Sequence, residues 1–148
     1  MQKICVFTLK TLLFMSVFFA AGCGKKDKVL AIGLPYQGGI IAYIDETGKH
    51  GLIAAKEDEN GEYDWYEAMG ICENKNAGGF TDWFLPNKVQ LNELYKNREL
   101  IKNFAVDYYW SSLEYDINRA WYQYFFNSVT QEYGSKSNTC KVRAVRYF

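Results

Sequence analysis

The chain has 148 residues, 17 basic and 17 acidic side chains, a formal net charge of zero and a single His, and 18% of its residues are aromatic. That length suits one domain with one core rather than two, and with no Lys/Arg run beyond Lys25-Lys26 a nucleic-acid partner is not expected. One His and four Cys supply no metal cluster, cofactor site or nucleophile–base pair that can be assembled from sequence, so no catalytic residue, metal or cofactor is assigned.

Lys3 and Lys10 lead into the apolar run Thr11 to Ala20, too short for a spanning helix and shaped like a secretory signal. The run ends at Ala20-Ala21-Gly22-Cys23, which resembles a bacterial lipobox, with Ala20 where Leu is commonest. Residues 1–22 are therefore expected to be a lipoprotein signal peptide. Cys23 is the expected lipidation site, and 23–37 a tether to the membrane held by acyl chains. The expected location is the bacterial cell envelope, the outer membrane in a Gram-negative cell. Cleavage removes two lysines and no acid, leaving a balance of about −2. Cys5 leaves with the signal. Cys72 and Cys140 remain, and an even count in an exported domain predicts a disulfide between them. It would close a loop of nearly seventy residues, worth about 4 kcal/mol in the chain-entropy model.

The domain proper is expected over 38–148. Residues 38–55, GGIIAYIDETGKHGLIAA, read as a β-hairpin whose turn holds His50. Residues 57–64, EDENGEYD, read as a solvated acidic loop, since their spacing does not match a calcium-binding loop. Asp64 with Glu67 has the form of a capping box, and Trp65, Ala68, Met69 and Cys72 then lie on one helical stripe. Gly78-Gly79 closes that segment and permits the turn that delivers Trp83 and Phe84 inward. Pro86 keeps Leu85 extended. Asn87 caps a second helix, with Gln90 as its reciprocal partner and Leu91, Leu94 and Tyr95 as its apolar face.

From Tyr108 the period changes from 3.6 to 2, giving four expected strands in YYWSSLEYD, AWYQYFF, VTQEY and CKVRAVRYF. Hairpin, two helices and a closing antiparallel sheet make an α+β fold. Residues 108–126 hold nine aromatic side chains. Alternation puts Tyr122, Tyr124 and Phe126 on one face and Trp121, Gln123 and Phe125 on the other. One face must be core. The other offers an aromatic and amide surface suited to a glycan or protein ligand, centred on Tyr115, Asp116, Asn118, Trp121, Gln123, Gln131 and Tyr133.

GGFTDWFLPNKVQLNELY, residues 78–95, followed by YWSSLEYD, AWYQYFFNSV and the closing VRAVR, resembles the bacterial DUF1566 domain. That domain is also the C-terminal domain of the Legionella collagen-like adhesin and is related to the Fibrobacter paralogous domain. The signature falls on Gly79, Asp82, Trp83, Leu85, Pro86, Trp110, Ser111, Ser112, Arg143 and Arg146. The resemblance implies a C-type-lectin-like fold in which the first helix is bridged to the last strand, the pairing expected above for Cys72 and Cys140. It does not carry over calcium-dependent sugar binding. Leu85-Pro86-Asn87 and Trp110-Ser111-Ser112 stand where the lectin calcium motifs place carboxylate or amide ligands, and Leu85 offers no oxygen. Nor does it carry over the chemistry of the related formylglycine-generating oxidases, because both remaining cysteines are expected in the bridge. The reading is a non-enzymatic, envelope-anchored binding module for a glycan or protein. The alternative is a structural subunit using its aromatic sheet as a permanent interface.

Overall fold

The computed structural model describes residues 29–126 and 130–148; the expected signal peptide, Cys23 and the turn at Asn127-Ser128 lie outside them. Local sequence sets the two longer helices. Helix α1, Trp65–Glu73, starts at Asp64. The Asp64 carboxylate accepts the Glu67 N–H at 2.9 Å, and the Asp64 N–H donates to Glu67 Oε2 at 3.1 Å. Helix α2, Lys88–Lys96, repeats the device with Asn87 and Gln90, at 2.9 and 2.8 Å. Each cap satisfies otherwise orphaned N–H groups and contributes about 1 kcal/mol. A single turn, α3 (Arg98–Ile101), follows.

Two antiparallel sheets complete an α+β architecture. The first is built from β1 (Pro35–Tyr36), β2 (Gly39–Ile44), β3 (Gly51–Ala54) and the closing strand β7 (Val145–Tyr147), in the order β1-β2-β3-β7. The second is β4 (Tyr108–Glu114), β5 (Arg119–Tyr124) and β6 (Gln131–Ser135), in chain order. The hairpin over 38–55 forms as expected, with His50 exposed in its turn. The sheet nevertheless begins before residue 38. Gln37 and Gly38, at φ 40° and 87°, make a tight turn that pairs Tyr36 with Gly39, the backbone favoured between two twisted strands. The expected tether is shorter by that strand.

The α1 stripe Trp65, Ala68 and Cys72 packs against Ile53, Trp83, Leu85, Trp110, Ala120 and Val142. Leu91, Leu94 and Tyr95 of α2 pack into a second cluster with Leu52, Ala54, Tyr109, Phe125 and Val145. The stretch between the helices threads both sheets. Phe84 exchanges backbone hydrogen bonds with Val145 at 2.8 and 2.9 Å, and the Pro86 carbonyl accepts the Ser112 N–H at 2.8 Å.

Four expectations are corrected. Helix α1 stops at Asn74, whose side-chain amide donates to the Gly70 carbonyl at 2.8 Å, before the Gly78-Gly79 turn. Residues 140–148 do not form one strand: Cys140 bridges Tyr63, Lys141 bridges Tyr109 in parallel, and only Val145–Tyr147 joins a sheet. The alternation survives in part, with Cys140, Val142 and Ala144 in one core cluster and Val145 in the other, while the pairing partner changes. The acidic loop is not merely solvated, because Asp58 pairs with Arg143 at 2.6 Å and Glu59 with Lys75 at 2.5 Å.

The fourth correction is the disulfide. Cys72 and Cys140 are buried in the same cluster, yet both are free thiols. Facing a common core does not bring two Cβ atoms to the narrow separation and orientation that a bridge requires. The charges that bear on the two thiols differ, Glu59 and Lys75 for Cys72 and Asp107 and Glu62 for Cys140. Burial raises the pKa of both, Cys140 to about 12, which disfavours the nucleophilic thiolate.

Candidate functional site

The signature residues form an internal frame. Arg146 of β7 reaches across to the segment between the helices, where its Nε and Nη2 meet the two carboxylate oxygens of Asp82 at 2.7 and 3.0 Å, the bidentate geometry that suits Arg. That contact first, outweighing the opposing effect of burial, holds the Asp82 carboxyl below its usual range. The Trp83 indole N–H donates to the carbonyls of Phe80 and Ala77 at 3.1 and 3.3 Å. Trp110 donates to the Tyr63 carbonyl at 2.9 Å, and Trp65 to the Ser111 carbonyl at 2.8 Å. Ser111 is fully buried, its hydroxyl accepting the Leu113 N–H at 3.3 Å. Gly79, at φ 82°, completes the turn before Trp83. Leu85 and Pro86 are buried. Arg143 is entirely enclosed among carbonyls and Asp58. Most of these positions hold loops to sheets, while Gly79 and the paired Asp82 carboxylate remain open to solvent.

The candidate surface separates into two layers. Tyr115, Trp121 and Tyr133 come together at the end of the β4-β5-β6 sheet. The Tyr115 and Tyr133 rings stack at 3.7 Å and 4°, and Trp121 meets both edge-on, at 5.7 and 5.4 Å. Tyr115 and Tyr133 remain 45% and 40% exposed, which makes them available to a partner. The register explains the assembly: Trp121 opposes Tyr133 across β5 and β6, while the turn from β4 to β5 folds Tyr115 over them. Asp116 closes that turn, its Oδ1 accepting the N–H groups of Asn118 and Arg119 at 2.9 and 2.8 Å. Asn118 is exposed in the turn and its carbonyl accepts the Lys136 N–H.

Two cations missed in the sequence complete the cluster. The Arg119 guanidinium lies 4.7 Å from the Tyr115 ring centre and 5.0 Å from that of Tyr133, and is tied to Asp116 at 2.6 Å. Lys88 Nζ sits 3.1 Å from the Trp121 ring centre. Ring faces attract cations through their quadrupole, so both contacts fix the rings in place. The Asp116/Arg119 spacing in a turn was a legible signal for the first. Lys88 arrives from α2, and nothing local foretells it. The Arg119 hydrogen bond draws the Asp116 carboxyl below its usual range, and the Tyr133 hydroxyl, through its hydrogen bond, is the largest influence raising the Tyr115 phenol.

Gln123 and the half-buried Gln131 form the second layer, and the expectation that Gln123 lies on the binding surface is corrected. Gln123 is fully buried. Its amide donates to Asn92 of α2 at 3.2 Å and accepts from Gln131 at 3.1 Å, while Gln131 also donates to the Lys88 carbonyl at 2.7 Å. The face of β5 that carries Gln123, continued past the strand by Phe125, packs on α2, so a buried amide there must be bonded internally. These two residues lock the sheet to the helix beneath the cluster.

The family model described as the Lcl C-terminal domain matches residues 46–146. The chain belongs to that family. No curated protein matches it. The family's match runs from the turn after β2 to Arg146 of β7, so it contains the internal frame of this Lcl C-terminal domain and the aromatic cluster alike. Among its described residues, no three His, Cys, Asp or Glu side chains gather where they could hold a metal ion.

Proposed function

We propose that this Lcl C-terminal domain is a non-enzymatic binding module with a C-type-lectin-like fold, and that it engages a glycan through Tyr115, Trp121 and Tyr133. The observation that supports this most directly is the cluster itself. Three aromatic rings are held rigid at the surface, beside an Asp116–Arg119 pair that offers an acceptor and donors on one side. Rings of fixed orientation give contact area at small entropic cost, and a fixed polar pair orients hydroxyl groups.

The proposed binding does not use calcium at the Leu85-Pro86-Asn87 segment. Pro86 contributes its carbonyl to Ser112, and the Asn87 side chain is occupied in capping α2. A glycan-array screen of the protein with and without chelator tests the reading. The expected result is binding that survives chelation and falls at least tenfold in Trp121→Ala or Tyr133→Ala, as loss of an aromatic anchor of about 1.4 kcal/mol or more requires. Binding unchanged in both variants, or abolished by chelator, overturns it. A stable oligomer that Tyr133→Ala or Tyr124→Ala dissociates favours the alternative of a permanent structural interface. A second aromatic group, in which the Tyr108 ring centre lies 4.9 Å from that of Tyr122 and 4.8 Å from that of Tyr124, would suit such an interface.

We further propose that Cys23 is lipidated after removal of residues 1–22 and tethers the domain to the bacterial envelope. The lipobox-like Ala20-Ala21-Gly22-Cys23 supports this. Metabolic labelling with palmitate should be lost in Cys23→Ala, and retained labelling refutes the anchor.

A further inference from the structure

We propose that Asn60-Gly61, in the loop before α1, is a site of intramolecular deamidation, and that the Tyr63 hydroxyl promotes it. It is the one Asn-Gly step in the sequence. Both residues are exposed, and Gly61 has φ 124°. Glycine leaves the following amide nitrogen without a Cβ to shield it, which is the steric condition for that nitrogen to reach the asparagine side chain. The flanking backbone is pinned: Glu59 N–H donates to the Val142 carbonyl at 2.9 Å, and Tyr63 and Cys140 exchange hydrogen bonds at 3.0 and 3.1 Å. Asn60 and Gly61 bulge outward between those anchors.

Tyr63 adds the second element. Its hydroxyl donates to the Asn60 carbonyl at 2.5 Å. That carbonyl belongs to the same peptide group as the Gly61 N–H. When the nitrogen loses its proton, the charge is shared with this oxygen, and a hydrogen bond to the oxygen stabilises the anion. The reaction then runs in two balanced steps. The Gly61 N–H gives its proton to hydroxide, the nitrogen attacks Asn60 Cγ, and a C–N bond forms as the Cγ–Nδ2 bond breaks and ammonia departs with a proton from water. Solvent water then opens the resulting five-membered imide at either carbonyl, leaving Asp or isoaspartate. The net change is addition of water and loss of ammonia, with no oxidant or reductant.

The consequence is local and electrostatic. A new carboxylate joins Glu59 and Glu62 in a loop whose cationic contacts are Arg143 on Asp58, Lys75 on Glu59, and Lys141 on Glu62 and the Gly61 carbonyl. Isoaspartate also lengthens the backbone between the two anchors. The site thus ages the loop toward greater negative charge.

The test is peptide mapping of the full chain after incubation at pH 8 in heavy-oxygen water, folded and in urea. Expected is conversion of Asn60 to Asp and isoaspartate, each carrying one heavy oxygen, as fast in the folded chain as in urea, or faster. Gly61→Ala should suppress it. Tyr63→Phe keeps the ring and the backbone bridge and should slow it about three- to tenfold, the rate equivalent of one hydrogen bond. Asn60 left intact in the folded chain while the urea-unfolded chain converts would overturn the site. An unchanged rate in Tyr63→Phe would overturn the role of the hydroxyl.

Discussion

Arg143→Met is expected to destabilise the domain by about 3–5 kcal/mol, the cost of removing one member of a buried ion pair. The Arg143 side chain is fully enclosed. Its Nε donates to Asp58 Oδ1 at 2.6 Å, and its Nη1 to the carbonyls of Ala55 at 3.0 Å and of Lys56 and Lys102 at 3.4 Å, while Nη2 reaches the Asn103 carbonyl. The guanidinium also lies 4.1 Å from the Phe104 ring centre. Lys102 and Asn103 have φ 69° and 59°, positive-φ backbone that costs a side-chain-bearing residue about 1–3 kcal/mol, and Arg143 holds both of their carbonyls. Methionine would match much of the volume and none of the donors. It would leave Asp58 with the Tyr109 hydroxyl at 2.5 Å and the Ala105 N–H at 3.3 Å but without a cation. A shift in the urea midpoint at constant slope measures the loss. Arg143→Met combined with Asp58→Asn should recover part of it, because the orphaned charge is then removed. A loss below about 1 kcal/mol in the single variant would show that the clamp is dispensable.

The second large effect is expected at Gly78→Ala, about 2–4 kcal/mol, from backbone overlap added to left-handed strain. Gly78 has φ 64°, and a Cβ there would stand 2.3 Å from the Gly38 Cα and 3.1 Å from its carbonyl oxygen. The obstacle is main chain, so no side chain can swing aside. Gly79→Ala is the matched comparison. Its φ of 82° is equally left-handed, but nothing lies within 4 Å of the added Cβ, so only the strain of about 1 kcal/mol applies. Equal losses in the two thermal or urea titrations would refute the close approach of the β1–β2 turn to the loop after α1.

These two results bear on what could be read from the residues alone. Asp64/Glu67 and Asn87/Gln90 announce both longer helices, because capping is a transaction among neighbours in the chain. Gly78 announces a left-handed turn for the same reason, but its contact with Gly38 is forty residues away and leaves no local mark. Arg143 and Arg146 stand in an extended, alternating segment that looks like half of a sheet. Only the fold reveals that one clamps Asp58 and four carbonyls and the other grips Asp82. The acidic run at 57–64 reads as solvent-facing since its partners, Arg143 and Lys75, lie far along the chain.

The candidate site divides along the same line. Period-2 alternation correctly gathers Trp121 and Gln123 on one face of β5, yet alternation cannot say how far a covering helix extends. Helix α2 covers them unequally: Gln123 is buried against Asn92, while Trp121 lies at the helix start, under Lys88 and beside the exposed tyrosines. Likewise, inward-facing positions placed Cys72 and Cys140 in one core without bringing them to bonding geometry. By itself the sequence determined the α+β class, the helix starts, the hairpin and the family signature, because these rest on contacts within a few residues or on a repeat period. The tertiary structure alone decided which aromatics face solvent, which charges are paired and whether two thiols meet. Those outcomes depend on distances between segments that only packing brings together.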